Sequence, residues 1–248
     1  MTPNRFHLTG LGVTLAIGMA SAAFILGYQA RQAATTGQQS IEVKGLAEKP
    51  VTADHGELAL TLSGQGATLP EALAALRKQR PQLEQFIQQH QFQKPDIEVD
   101  NESFEPVYKK DDEGRQTEQL DYYLARQSYT LHSKDVQRIA RTEHDVLQLQ
   151  EAGLPVSHEP AAYLVSNLEQ VKMSLIGAAT DNASSRAQEF ARHGNVTVGS
   201  MRSASQGAFY ILPANGQNDN SDDYGGVYDK STINKLARVV VTVRYNLN

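Results

Sequence analysis

Cysteine is absent from the 248 residues. That excludes disulfides, thiol nucleophiles and thiolate-ligated zinc or iron–sulfur centres. It leaves the compartment open, because exported proteins also do without cysteine. No P-loop or dinucleotide-binding fingerprint occurs, and Ser63-Gly64-Gln65-Gly66 is too short for a nucleophile elbow. Basic residues are in the minority. Net charge is −5, and apart from Arg5 and Arg31 the chain carries 21 basic against 28 acidic side chains. That balance excludes recognition of nucleic acid or anionic lipid through bulk charge. Methionine is scarce: Met1, Met19, Met173 and Met201 are too few for a sacrificial-oxidant role.

What remains is the composition of a folded protein, 40% hydrophobic and 21% charged. The length suits one large domain or two small ones sharing a core. From Leu8 to Gly27 twenty residues pass without a charge. As a helix rising 1.5 Å per residue, such a run spans a hydrocarbon core of about 30 Å. Two readings stand. One is an uncleaved anchor in the inner membrane, single-pass, with the C-terminal domain in the periplasm. The other is a signal peptide, apolar from Leu8 to Met19, cleaved at Ala20-Ser21-Ala22 to release a periplasmic protein. The apolar run continues through Phe24, Ile25 and Leu26, which favours the anchor. Residues 1–30 are therefore read as the anchor or signal segment, 31–40 as a small, polar linker, and 41–248 as the folded domain.

Within that domain, strand and helix periods alternate. Leu58, Leu60 and Leu62 alternate with Glu57, Ala59, Thr61 and Ser63, the pattern of a half-buried strand that Gly64 and Gly66 end. Thr68 and Glu71 have capping-box spacing ahead of a helical stripe, Leu69, Leu73, Leu76, Leu83, Phe86 and Ile87. Pro81 falls inside that stripe and predicts a kink or break. A hairpin follows: one strand starts at Ile97 and Val99, residues 109–119 form a polar tip, and Leu120 to Leu131 returns. A second helix buries Val136, Ile139, Val146 and Leu149 and stops at Gly153 and Pro155. The scheme then repeats. Tyr163–Ser166 is a short strand. Asn167 caps a long helix with Leu168, Val171, Leu175, Ala179, Ala183, Ala187 and Ala191, which Arg192, His193 and Gly194 close. A strand runs from about Val196 to Leu212. After an Asn-, Asp- and Gly-rich loop (214–226), a last strand alternates Ala237, Val239, Val241, Val243, Tyr245 and Leu247 on one face.

LARQSYTL (124–131) is echoed 112 positions later by LARVVVTV (236–243). Both close a hairpin after a helix. The fold class expected is α+β: two similar strand-helix-strand-strand halves with antiparallel hairpins, about 41–133 and 161–248. A linking helix at about 134–151 joins them, and one N-terminal transmembrane helix precedes them.

This order of elements resembles the SIMPL domain family. The resemblance rests on IEVKGLAEKPVTAD (41–54), on DIEVDNESFEPVY (96–108) with its Gly-containing tip and YYLARQSYTL (122–131), and on the helix carrying Ala183, Arg186, Ala187 and Ala191 before Gly194. It covers roughly residues 40–247. These are packing and turn patterns, without chemical specificity. The resemblance implies an exported, often periplasmic protein; some members are linked to protection against oxidative stress, and some form large ring-like oligomers.

Candidates for chemistry are sparse. His7, His55, His90, His132, His144, His158 and His193 include no H-x-x-x-H or H-x-H pair, and His144-Asp145 and His158-Glu159 are sequence neighbours that a helix would splay apart. Asn215–Gly226 fails as a calcium loop because Ser231 holds the twelfth position counted from Asn220. Asp111-Asp112-Glu113 reads as a solvated tip. Glu42, Asp54, Glu57, Glu98, Asp100 and Glu102 could supply a carboxylate pair, as could any set of 28 acids. Ala179, Ala183, Ala187 and Ala191 share a slowly drifting helix face and permit close packing, on a sheet or on a second subunit. Tyr122, Tyr123 and Tyr129 lie on one strand as structural aromatics. No catalytic, cofactor-binding or metal-ligating residue is assigned, and no cofactor. The expectation is a non-enzymatic, membrane-tethered homo-oligomer acting as scaffold or binding module, with no nucleic acid and an unknown ligand. The rival is a small-ligand-binding protein or enzyme with a site assembled between the halves.

Overall fold

The computed structural model of the protein describes residues 18–19, 21–27, 39–215 and 227–248. The expected span Leu8–Gly27 lies largely outside them. Its described part, residues 18–19 and 21–27, is helical, with Phe24, Ile25 and Leu26 exposed. Among the described residues no helix is long and apolar enough to cross a membrane. Residues 216–226 of the Asn- and Asp-rich loop also lie outside.

The chain is mixed α+β with antiparallel sheets and forms two compact units. The larger gathers Glu48–Lys172 and Phe209–Arg238. Its central strands are β2 (His55–Gly66) and β5 (Gln116–Ser133), paired antiparallel with Leu58 opposite Leu131 and Leu60 opposite Tyr129. Alternation places Leu58, Leu60, Leu62, Ala125, Tyr129 and Leu131 on one buried face. Helix α1 (Leu69–Gln89) adds Ala72, Leu76, Leu83, Phe86 and Ile87 to the same core, and α2 (Val136–Glu151) adds Val136, Ile139, Val146 and Leu149. The α1 capping box forms as read: the Glu71 carboxylate accepts from the Thr68 backbone N–H at 3.2 Å. Around the central pair lie β3 (Ile97–Val99), β4 (Ser103–Lys110), β6 (Val156–His158) and β7 (Ala162–Leu164).

Four expectations need correction. Pro81 does not break α1, which runs on to Gln89. Pro81 is exposed, so water can satisfy the carbonyl that loses its helical partner. The hairpin tip is shorter than 109–119, because Tyr108 still pairs with Leu120 and Lys110 with Gln116, leaving 111–115 as the turn. Both faces of this end are solvated, so no apolar alternation marked it as strand. The strand before the long helix α3 (Leu168–His193) is β7, and it pairs with β2 rather than within a separate second hairpin. The final strand β9 (Asn234–Leu247) pairs with β8 (Val198–Pro213), as the expected hairpin requires, and on its other side with β1 (Ser40–Thr52) from the start of the domain, in a sheet ordered β1-β9-β8. Finally, the left-handed residue ending α3 is Asn195 (φ 53°), not Gly194. Val196 N–H returns to the Ala191 carbonyl at 3.0 Å, the six-to-one bond of a Schellman ending.

The smaller unit gathers the described residues up to Ala47 with Met173–Ala208 and Val239–Asn248. Here the alanine row has its explanation. Ala179, Ala183, Ala187 and Ala191 are all buried within the chain. Gly45 of β1 lies against the α3 backbone at Ala179 and Ala183. Leu46 N–H donates to Asn182 Oδ1 at 3.1 Å, and Arg186 donates to the Lys44 carbonyl at 3.0 Å. The row serves helix-on-sheet packing, and the subunit-contact reading of these alanines is set aside.

Candidate functional site

The carboxylates named from the sequence disperse. Glu42 pairs with Arg244 at 2.6 Å, in the smaller unit. In the larger unit, Glu102 takes Arg77 at 2.8 Å and also Arg80. Hydrogen bonds from Arg77 hold the Glu102 carboxyl down at about 2. Asp54 accepts from the Ser166 backbone at 2.8 Å and its hydroxyl at 2.6 Å. Burial pushes the Asp54 carboxyl up, but these bonds outweigh it and hold it below its ordinary value. Asp111 caps the hairpin turn, accepting from the Glu113 and Arg115 backbone. Ser63 is a strand residue whose hydroxyl donates to the Pro155 carbonyl at 3.1 Å.

The histidines divide in the same way. Asp145 meets His90, not its neighbour His144: His90 Nε2 lies 3.0 Å from Asp145 Oδ2 while Nδ1 lies 3.0 Å from the Phe86 carbonyl. This pair borders an open polar depression of about 500 Å³ with Arg138 and Arg141. It has the outline of a His–Asp dyad without the chemistry of one. Both ring nitrogens face acceptors, so none is left to take a proton from a nucleophile. Ser133, close by, accepts from Asp135 and Arg138 and is buried. The pair staples α1 to α2. His193 sits beside Glu189 at 3.1 Å on an exposed turn of α3. His55 and His132, by contrast, converge with Glu57 on the outer face of the β2–β5 sheet, each within 3.7 Å of the same carboxylate oxygen.

Sequence reasoning passed over one polar cluster entirely. Lys235 and Asp229 form a buried ion pair, Nζ to Oδ2 at 3.2 Å, with side chains 0% and 6% exposed. Asp229 also accepts from Ser231 Oγ at 2.7 Å and from Thr232 Oγ1, and its own carbonyl accepts from Lys235 Nζ at 2.6 Å. Around it, Ala53 N–H donates to the Ile233 carbonyl, Tyr163 N–H to the Lys230 carbonyl and Val165 N–H to the Tyr228 hydroxyl. One polar hub thus fixes the entry to β9, β7 and the β1–β2 turn. A signal existed. Lys235 falls in phase with Ala237, Val239 and Val241, so an inward lysine had to find a buried partner.

Burial raises the Asp229 carboxyl, yet bonds from Thr232, Ser231 and Lys235 outweigh burial and bring it down to about 2, from an ordinary 3.8. A carboxyl depressed on folding stabilises above its unfolded value and loses that contribution as pH falls through its folded one. The difference amounts to about 2 kcal/mol. The unfolding free energy of the native chain, read from urea denaturation, is expected to fall between about pH 4 and pH 2 by that amount more than that of an Asp229→Asn variant, which lacks the titrating group.

Residues 41–244 match the SIMPL family, described as proteins of unknown function (DUF541). The chain belongs to the SIMPL family. Among curated proteins, none matches it at a significant level. The stretches that carry the likeness in this SIMPL domain are structural. Gly45 is a point of close helix approach, Asp54 a staple, and Ala125–Leu131 a core strand.

Proposed function

We propose that this SIMPL protein is an exported, membrane-anchored and non-enzymatic scaffold or binding module of the cell envelope, assembled from copies of the same chain along β8. The observation that carries this reading is the difference between β8 and the other strand edges. Natural sheets protect free edges with lysine, proline, charge or shortness. Edge strand β1 carries Lys44, Glu48, Lys49 and Pro50. Edge strand β4 carries Glu105, Pro106, Lys109 and Lys110. The edges β3, β6 and β7 are 3 residues each. Edge strand β8 runs 16 residues with no lysine, and its proline stands at the last position. From Ser200 to Gly207 its side chains are exposed on both faces, and all but Met201, Arg202 and Gln206 are small. A long strand with small, exposed side chains at the end of its sheet among the described residues suits pairing with a second strand.

Two further features agree with this reading. Phe24, Ile25 and Leu26, exposed on helical residues 21–27, fit an anchor covered by lipid. The two halves also share a plan. Ala125 and Ala237 are both fully buried, and the residues after them, Arg126 and Arg238, pair with Glu105 and Glu48 at 2.7 and 2.6 Å. The link to stress tolerance rests on the family resemblance.

Light scattering on the full chain in mild detergent tests the assembly. The mass expected is a discrete multiple of 27.2 kDa. Introducing Ala204→Lys and Ser205→Lys together should reduce it to one chain with little change in melting temperature, because both positions are exposed. A native monomer, or an assembly indifferent to both lysines, would refute the β8 reading.

A further inference from the structure

We propose that His55, Glu57 and His132 form a binding site for a divalent transition-metal ion of the zinc type. The three side chains come from two paired strands. Glu57 stands directly opposite His132 in the β2–β5 ladder, and His55 is two residues before Glu57, hence on the same face. Their positions are set by the sheet, not by a loop. His55 Nε2 lies 3.7 Å and His132 Nδ1 3.6 Å from Glu57 Oε1. All three ligand atoms fall within 4.8 Å of one another. A tetrahedral ion with bonds of about 2.0–2.1 Å holds its ligand atoms about 3.3 Å apart. Small side-chain rotations therefore close the set around an ion, without moving backbone.

A fourth residue completes the arrangement. Glu98 pairs opposite Thr130, two residues before His132, which places it on the same face of the sheet. Its Oε2 lies 3.7 Å from His132 Nε2, the nitrogen turned away from Glu57. A carboxylate behind a metal-bound imidazole fixes the ring and raises its basicity. Among the described residues, none of these four side chains hydrogen-bonds to another. The two imidazoles lie with ring centroids 5.8 Å apart and planes at 23°. With side chains 30% to 37% exposed at His55, Glu57 and His132, the remaining coordination positions face solvent. Ion pairs this open contribute about 0–1 kcal/mol to stability, so holding the fold does not account for the convergence. Two nitrogens and one oxygen without sulfur suit zinc, which accepts imidazole and carboxylate at four-coordinate sites. A water from solvent fills the fourth position. This inference is independent of the assembly along β8.

The test is zinc uptake by the full chain in detergent, measured by competition with a chromogenic chelator. One zinc per chain is expected. Glu57→Gln and His132→Gln should each abolish that stoichiometric uptake. Glu98→Gln should weaken it about tenfold while keeping the stoichiometry. His193→Gln, at the other His–Glu pair, should leave it unchanged. All four positions are partly or fully exposed, so the variants are expected to melt with the native chain. Cobalt(II) loading of the native chain provides a readout that needs no variant: a four-coordinate site gives strong visible absorption, displaced by zinc. No retained zinc and no such absorption, or uptake that survives both Glu57→Gln and His132→Gln, would overturn the proposal.

Discussion

Asparagine in place of Asp229 is expected to lower the unfolding free energy by about 3–5 kcal/mol, the cost of breaking a buried ion pair from one side. The reasoning concerns what is left behind. Lys235 Nζ is fully buried, and its partners are Asp229 Oδ2 at 3.2 Å and the Asp229 carbonyl at 2.6 Å. Burial already depresses the lysine, and Asp229 opposes that shift. Without the carboxylate, a fully buried ammonium group keeps one carbonyl. The reverse change is milder. Lys235→Met leaves Asp229 with donors from Ser231 and Thr232, so the carboxylate stays bonded. The double variant Asp229→Asn with Lys235→Met should recover most of the loss, because replacing both members of a buried pair is often close to neutral. Urea denaturation of the three variants separates these outcomes. Equal losses for the two single variants, or a double variant no better than Asp229→Asn, would show that the hub is held by its backbone bonds and not by its charge.

This hub also marks where the sequence was opaque. Alternation exposed β2 and β9 directly, since Leu58, Leu60 and Leu62, like Val239, Val241 and Val243, each face one core. The helical stripe and the Thr68–Glu71 spacing located α1, and only the consequence of Pro81 was misjudged, because exposure of that turn is a tertiary fact. Pairing was a different matter. That β7 joins β2 while β1 joins β9 depends on contacts between residues more than a hundred positions apart, and no local pattern encodes them. The same limit hid the candidate metal site. His55-x-Glu57 and His132 lie 75 or more positions apart, and only the β2–β5 register makes Glu57 and His132 neighbours. The absence of lysine and proline from Ser200–Gly207 was legible as composition, but its meaning depended on knowing which strand ends its sheet among the described residues.

The other large effect is steric and comes from removing a glycine. A Cβ built on Gly45 would lie 2.0 Å from the Ala179 carbonyl oxygen and 2.7 Å from the Ala183 nitrogen. Both are backbone atoms of α3, so no side chain can rotate away, and the helix itself must shift. Gly45→Ala is therefore expected to cost about 3 kcal/mol, the upper end for overpacking a core. Gly64 repeats the device under α1, where a Cβ would meet the Leu76 nitrogen at 2.4 Å and the Ala72 carbonyl at 2.7 Å. Gly64→Ala should cost a similar amount. The control lies in the same helix. Gly177 is exposed in α3, with nothing within 4 Å of its added Cβ. There alanine should stabilise by about 0.5–1 kcal/mol, because glycine carries an entropic penalty in a helix. One chemical change thus has opposite signs at positions 45 and 177, and thermal melting of the two variants reads both. A Gly45→Ala chain that melts with the native protein would mean that α3 does not rest on β1 as closely as its alanine row allows.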